Sequence, residues 1–294
     1  MKIKPECAVC IVRQVVEVSK EITNNEKERF KLIKSCLGVI EEHYSEDAVP
    51  AWMGTKVHRH LKKISNCEDP YKRLKEKADD IALKYLDIVK KEVSIEDDLE
   101  RIRKKVLATI AGNVIDFGPF STDMDIISKI DETLKGELTI DNSEEFLNDL
   151  KNSKKVLYIC DNAGEIVFDK LLIEEIKRYV EEVVVAVKGK PILNDATLED
   201  AKFVGIDEIA KVISVGEDII GVLLEECSQE FLNELNNTDM IVAKGMGNYE
   251  SLTEYDSEIK KPLYYIFKVK CTPVAEYLGG VKVGDNVLLK ANKS

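Results

Sequence analysis

Apolar residues follow two periods along this chain, and the change from one to the other divides it. Up to residue 112 the spacing is helical. Phe30, Ile33, Leu37 and Ile40 form one stripe, and Leu74, Ala78, Ile81, Tyr85 and Ile88 form a second. Asp69 before Pro70, and Ser94 ahead of Asp97, are helix-start signals; Gly112 is a stop. From Val156 onward short apolar runs alternate with helical stripes. Val156 to Cys160, Val183 to Val187, Lys211 to Val215, Met240 to Ala243 and Leu263 to Lys270 read as strands, and Phe168, Leu172, Ile176 and Tyr179 as a helix face. Such alternation predicts right-handed crossovers. The expected fold is α/β, a Rossmann-like three-layer sandwich with a mostly parallel sheet plus an N-terminal helical subdomain. The expected division is 1–112 for the helices and 113–294 for the α/β domain, which includes the junction starting at Asn113.

Polar residues gather where the strands end. Val156 to Cys160 hands over to Asp161, Asn162, Ala163, Gly164 and Glu165 before the helix of Phe168 begins. In a parallel sheet that turn lies at the carboxyl end of the strand, where open α/β folds place their ligands. Asp161 and Asn162 suit the cap of that helix as well as the hold of a hard divalent cation. After Val187 a second polar turn runs from Lys188 to Asp195. Thr197 with Asp200 then forms a capping pair for a helix that stops near Gly205. Asn194 and Asp195 thus precede the cap, and two neighbouring strands deliver carboxylates to one edge. The later exits add Gly216, then Lys244, Gly245, Met246, Gly247 and Asn248, and finally Lys268 and Lys270, two apart and so on one face of a strand. Carboxylates for a cation beside lysines and glycine-exposed N–H groups suit an anionic, phosphate-bearing ligand. The same lysines equally suit a solvated strand end. Neither a G-x-G-x-x-G nor a P-loop fingerprint is present.

Charge and length narrow the partners. The chain has 294 residues, 44% hydrophobic and 33% charged, with a net charge of −12. That balance argues against nucleic acid and anionic membrane, both of which need a basic surface, and points to a small molecule. The sequence shows neither a membrane-spanning apolar stretch nor the order of a signal peptide, so the expected location is cytoplasmic. The seven cysteines are an odd number without an export signal and read as reduced. Cys7 and Cys10 form a C-x-x-C that opens a helix. It reads as structural packing ahead of metal binding, with Cys36, Cys67 and His58 as completions of a zinc site. His43, His58 and His60 all fall in the helical part, which leaves Ser-His-Asp chemistry in the α/β part unsupported.

Taken in order, the C-x-x-C, Ala111-Gly112-Asn113-x-x-Asp116-Phe117-Gly118, Asp161-Asn162-Ala163-Gly164-Glu165, Asn194-Asp195-Ala196-Thr197, Lys244-Gly245-x-Gly247-Asn248-x-Glu250 and Lys268-x-Lys270-Cys271 resemble the metal-dependent damage-control phosphatases, also called domain of unknown function 89. The resemblance runs end to end, and the C-x-x-C is similar to that of the prokaryotic and archaeal branch. It implies a divalent-metal-dependent phosphatase that hydrolyses small phosphorylated metabolites such as sugar phosphates or damaged phosphometabolites. Manganese, nickel, cobalt or magnesium would be held by Asp161, Asn162 and Asp195. The family's lysine falls on Lys270, which with Asp161 and Asp195 makes the expected catalytic set. Asn113, Asp116, Glu165, Lys244, Gly245, Asn248 and Lys268 are the expected substrate contacts. Where eukaryotic relatives have Arg-Thr-x-Lys, this chain has Phe267, Lys268, Val269 and Lys270. The alternatives are an adenosylmethionine-dependent methyltransferase, whose first motif the Asp161 turn loosely resembles, and a nonenzymatic metal or sugar-phosphate binding protein.

Overall fold

Five helices lead the chain: α1 (Cys7–Ile22), α2 (Glu26–His43), α3 (Pro50–Ser65), α4 (Lys72–Glu92) and α5 (Asp98–Ala111). The computed structural model describes residues 1–115 and 123–291. Capping chemistry sets several of the helix starts. The Asn25 side chain accepts from the backbone N–H groups of Lys27 and Glu28, Pro50 occupies the first turn of α3, and Asp97 accepts from Glu100. The inward face of α2 differs from the expected stripe. Phe30 and Leu37 are exposed, and the buried ridge is Leu32, Cys36 and Ile40, which packs with Val15 of α1 and Val57 of α3. In α4, Ala78 and Tyr85 are buried as expected, whereas Ile88 is exposed and Val89 is turned inward.

After a short 3-10 helix (Gly112–Ile115), the chain continues through α6 (Asp123–Lys135), β1 (Leu138–Asp141), α7 (Ser143–Lys151), β2 (Lys155–Ile159), α8 (Glu165–Ile176), β3 (Glu182–Val187), α9 (Leu198–Phe203), β4 (Lys211–Ser214), α10 (Gln229–Asn237), β5 (Met240–Lys244), α11 (Met246–Leu252), β6 (Leu263–Lys268), α12 (Thr272–Leu278) and β7 (Asn286–Lys290). The seven strands lie in the order β1-β7-β6-β5-β2-β3-β4. Five of them, from β6 to β4, are mutually parallel; β7 runs antiparallel to β6, and β1 is parallel to β7. The central strands are covered on both faces. Val156, Tyr158, Val183, Val185 and Val242 pack with α4, α5 and α8, while Leu157, Ile159, Val184, Ile241 and Ala243 pack with α10 and α11 on the other side. Full burial of each such aliphatic side chain contributes about 1.5–3 kcal/mol. The two strands that run opposite, β1 and β7, were not among the expected ones.

The helical region divides between two cores. Helices α1 to α3 surround Val18, Cys36, Val57 and Leu61, whereas α4 and α5 supply Ala82, Val89, Ile102 and Val106 to the core under the sheet. The expected boundary after residue 112 falls at the 3-10 helix, just beyond α5.

Strand order locates the site. From β2 the chain moves outward through β3 to β4, then crosses back to β5 on the other side of β2 and continues to β6. The carboxyl ends of β2 and β5 therefore flank a topological switch point, where the two flanking connections diverge and leave a crevice.

Candidate active site

Asp161 follows β2 and Gly245 follows β5, directly across that crevice. Gly245 has φ +83°, and a Cβ there would collide with the Asp161 carboxylate. The glycine thus provides both the backbone conformation and the space for the acid. The turn after β2 is pinned to the turn after β3: the Ala196 N–H donates to the Asp161 carbonyl at 2.8 Å, and the Ala163 N–H to the Asn194 carbonyl at 2.9 Å. Asn162 and Asp195 form an isolated antiparallel bridge. The structure thus brings Asp161, Asn162 and Asp195 together. The capping box of Thr197 and Asp200 at α9 is present, so Asp195 stands outside the helix start.

Electrostatics at this edge is unfavourable for the bare acids. Burial, followed by the charges of Glu165 and Asp195, holds the Asp161 carboxyl well above the usual carboxylate range. Burial pushes Asp195 up to about 6, with Lys188 opposing the shift from 3.6 Å. A cation is the natural counter-charge for such a cluster. The Asn162 amide NH₂ donates to Glu165 at 2.7 Å and to Asp161 at 3.0 Å, which leaves its oxygen for a ligand. Among the described residues no three His, Cys, Asp or Glu side chains stand ready as a metal cluster. The donor set on offer is two carboxylates and one amide oxygen, an all-oxygen set suited to hard divalent cations, with further coordination positions left for water or phosphate.

Beneath the turn lies a polar network that the sequence did not reveal. Lys244 is fully buried and bonds Asp169 at 2.9 Å and Glu165 at 3.3 Å; Tyr158 donates to Asp169 at 2.8 Å, and Asn113 donates to Glu165. Burial works against the Lys244 charge, but the two carboxylates more than offset it and keep the lysine protonated. Lys244 and Glu165 therefore hold the Asn162 amide in place from behind. Asn248 is buried as well; its NH₂ donates to the carbonyls of Cys160 and Lys244, which ties α11 to the ends of β2 and β5. The Gly164 N–H donates at 2.6 Å to Asp79 of α4. Asp116 lies outside the described residues.

In front of the carboxylates opens a cavity of about 600 Å³. Asp161, Asn162 and Asp195 line it together with Lys270, Glu250 and Cys271 and with Cys7, Cys10, Arg13 and Gln14 of α1. From the sequence the C-x-x-C reads as structural packing, and it lies about 150 residues before Asp161. The fold brings them into one cavity, since α1 and α3 roof the switch point. The Cys10 sulfur accepts weakly from Arg13 and Gln14 on its own helix. Strand β6 ends at Lys268, so Lys270 lies in the turn beyond it and the two lysines do not share a strand face. Both still line a small recess with Asp161 and Asn113. Lys270 is exposed, and its charge reaches both Asp161 and Asp195. Glu250 and Lys188 escaped notice as site residues. Glu250 stands in the Lys244 to Glu250 motif, and Lys188 opens the Lys188 to Asp195 turn.

The sequence pattern of the Damage-control phosphatase ARMT1-like domain matches residues 3–287. The chain is 67% identical over 292 residues to an uncharacterized protein of Methanocaldococcus jannaschii, covering 99% of this chain and 96% of that one. It is 36% identical over 280 residues to a damage-control phosphatase of Pyrococcus horikoshii, with 95% and 94% of the two chains covered. With a damage-control phosphatase of Archaeoglobus fulgidus it shares 37% identity over 295 residues, with 98% of each covered. The crystal structure of a domain-of-unknown-function-89 family protein from Pyrococcus horikoshii superposes with a TM-score of 0.90 at 35% identity, covering 99% of this chain and all of that one.

Proposed function

Because the chain belongs to the damage-control phosphatase ARMT1-like family, we propose that it is a divalent-metal-dependent phosphomonoester hydrolase acting on small phosphorylated metabolites. The observation that carries the reading is the meeting of Asp161, Asn162 and Asp195 at the switch point, with Lys270 beside them, in a cavity of about 600 Å³. That volume suits a metabolite and is far too small for a polymer. A bound cation would polarise the phosphoryl oxygens as a Lewis acid.

The protein's own groups have distinct parts. Asp161, Asn162 and Asp195 would hold the cation. Lys270 offsets charge on the phosphoryl group as it moves from the leaving oxygen to the incoming one. Lys188 and the buried pair Glu165–Lys244 fix the ligands from behind. Among the described residues no helix is long and apolar enough to cross a membrane.

The test is phosphate release from a panel of phosphorylated metabolites, with manganese, nickel, cobalt or magnesium added singly and after chelation. Release that requires a cation and fails in Asp161→Asn supports the reading. Release that survives thorough chelation contradicts it.

A further inference from the structure

The metal-ligand candidates line the cavity, and a further carboxyl group, that of Glu250, opens into the same space. Glu250 belongs to α11, which begins directly after Gly245, and its side chain joins Asp161, Asp195 and Lys270 in lining the cavity. Among the described residues its carboxylate forms no hydrogen bond and no ion pair; its backbone carbonyl accepts from the Met1 amino group at 2.8 Å and from the Thr253 hydroxyl at 3.2 Å. Most other acids near the site have a task, and Glu6, which also lines the cavity, is exposed. Glu165 and Asp169 neutralise Lys244, Asp195 stands beside Lys188, and Asp79 receives the Gly164 N–H.

Lys270 lines the same cavity. Its charge acts on Asp161 and Asp195 and also on Glu250. Glu250 therefore shares one cavity with the lysine and the ligand turn that would hold a phosphate. Loss of an alkoxide from phosphorus is slow unless that oxygen receives a proton as the bond breaks.

We propose that Glu250 donates this proton; the assignment rests on the phosphatase reading above. The bond from phosphorus to the ester oxygen breaks, its electron pair goes to that oxygen, and the oxygen takes the Glu250 proton. A water oxygen bonds to phosphorus; one water proton stays on the phosphate and the other returns to Glu250. The sum is ester plus water giving alcohol plus hydrogen phosphate. Protonation of the donor at neutral pH fits its setting. Burial pushes the Glu250 carboxyl up to about 7, against the opposing pull of the Met1 amino group and Lys270. Cys7 and Cys271 also face it across the cavity.

The experiment compares wild type with Glu250→Gln and Glu250→Asp on two esters, an alkyl phosphate and a nitro-substituted aryl phosphate. Only the alkyl ester has a leaving group that needs the proton. For Glu250→Gln, kcat/KM on the alkyl ester should fall by roughly 10²- to 10⁴-fold, and on the aryl ester by at least roughly tenfold less. Glu250→Asp should recover part of the alkyl turnover. The wild-type alkyl rate should decline as pH rises through about 7, a limb that Glu250→Gln lacks. Independently of turnover, isotope-edited infrared spectra should show a glutamic-acid C=O band that disappears over the same range in wild type and is missing in Glu250→Gln. Equal losses on both esters, or full alkyl turnover in a folded Glu250→Gln, would overturn the proton donor while leaving the phosphatase intact. A wild type that releases phosphate from neither ester with any cation removes the phosphatase reading and this assignment with it.

Discussion

Asp161 and Asp195 are held in a state that folding alone does not favour, since burial raises both carboxyl groups and the charges of Glu165 and Asp195 add to the shift at Asp161. Asp161→Asn or Asp195→Asn removes one charge at nearly constant shape. Without metal, each variant should melt at or above the wild-type temperature, because the clustered charge is relieved. With added manganese or magnesium, the wild type should gain stability that rises with the logarithm of free cation above its Kd, and the variants should not. Scanning calorimetry with and without a chelator measures both effects; a wild type indifferent to every cation counts against these ligands. For the lysines, Lys270→Ala should reduce kcat/KM more than Lys268→Ala. A charge-assisted contact is worth roughly 1.5–3 kcal/mol, or about one to two decades in rate. A larger loss in a folded Lys268→Ala would exchange their roles. At this scale the sequence exposed the acids, because a polar residue directly after an apolar run stands out. It did not distinguish Lys244 and Asn248, which are buried behind the site, from residues that line it, since position along the chain carries no information about depth.

Elements held by local signals were legible, and elements held by distant partners were not. The strands β2, β3, β5 and β6 are continuously apolar, and the capping box of α9 is written in Thr197 and Asp200. In contrast, β1 has only four residues with an alternating half-buried pattern, and β7 depends on pairing with β6. On α2 the expected stripe shares Ile40 with the buried ridge of Leu32, Cys36 and Ile40, which is itself spaced at four residues, so helical periodicity alone admits both faces. Between α5 and α8 lies an ion cluster that no spacing announces: Glu175, fully buried, receives Arg101 at 2.9 Å and Lys105 at 2.8 Å. Burial opposes the Glu175 charge, but Arg101 and Lys105 overcome it and hold the carboxyl down at about 2, below its ordinary 4.5. The folded pKa is depressed, so this contribution is present above about 4.5 and lost as pH falls toward about 2. Urea midpoints measured over that range should converge for wild type and Glu175→Gln as pH drops. A gap that stays constant would mean the carboxylate adds nothing through its charge.

For the molecule as a whole, the alternation of strands and helices made the three-layer architecture readable, and the order of the exits hinted at one crowded edge. What could not be read was the roof. Cys7, Cys10 and Arg13 reach the cavity only because α1 folds back over the sheet, a contact spanning more than a hundred residues of chain for which no local pattern exists. Trp52 of α3 makes a similar reach, its indole N–H donating to the Val222 carbonyl at 3.1 Å.

That roof has a further consequence. The cavity wall is drawn partly from the α1–α3 core and partly from the sheet ends, so a ligand inside it touches two hydrophobic cores that can open at different free energies. Occupancy should therefore act as a clasp. Amide hydrogens of α1 and α3, which exchange through local opening of the smaller core, should slow when a cation and inorganic phosphate are added together. Those of β2 and β5, limited by global unfolding, should slow only as far as overall stability rises. Deuterium uptake followed peptide by peptide would reveal the difference, and equal slowing everywhere would show that the two cores already open as one.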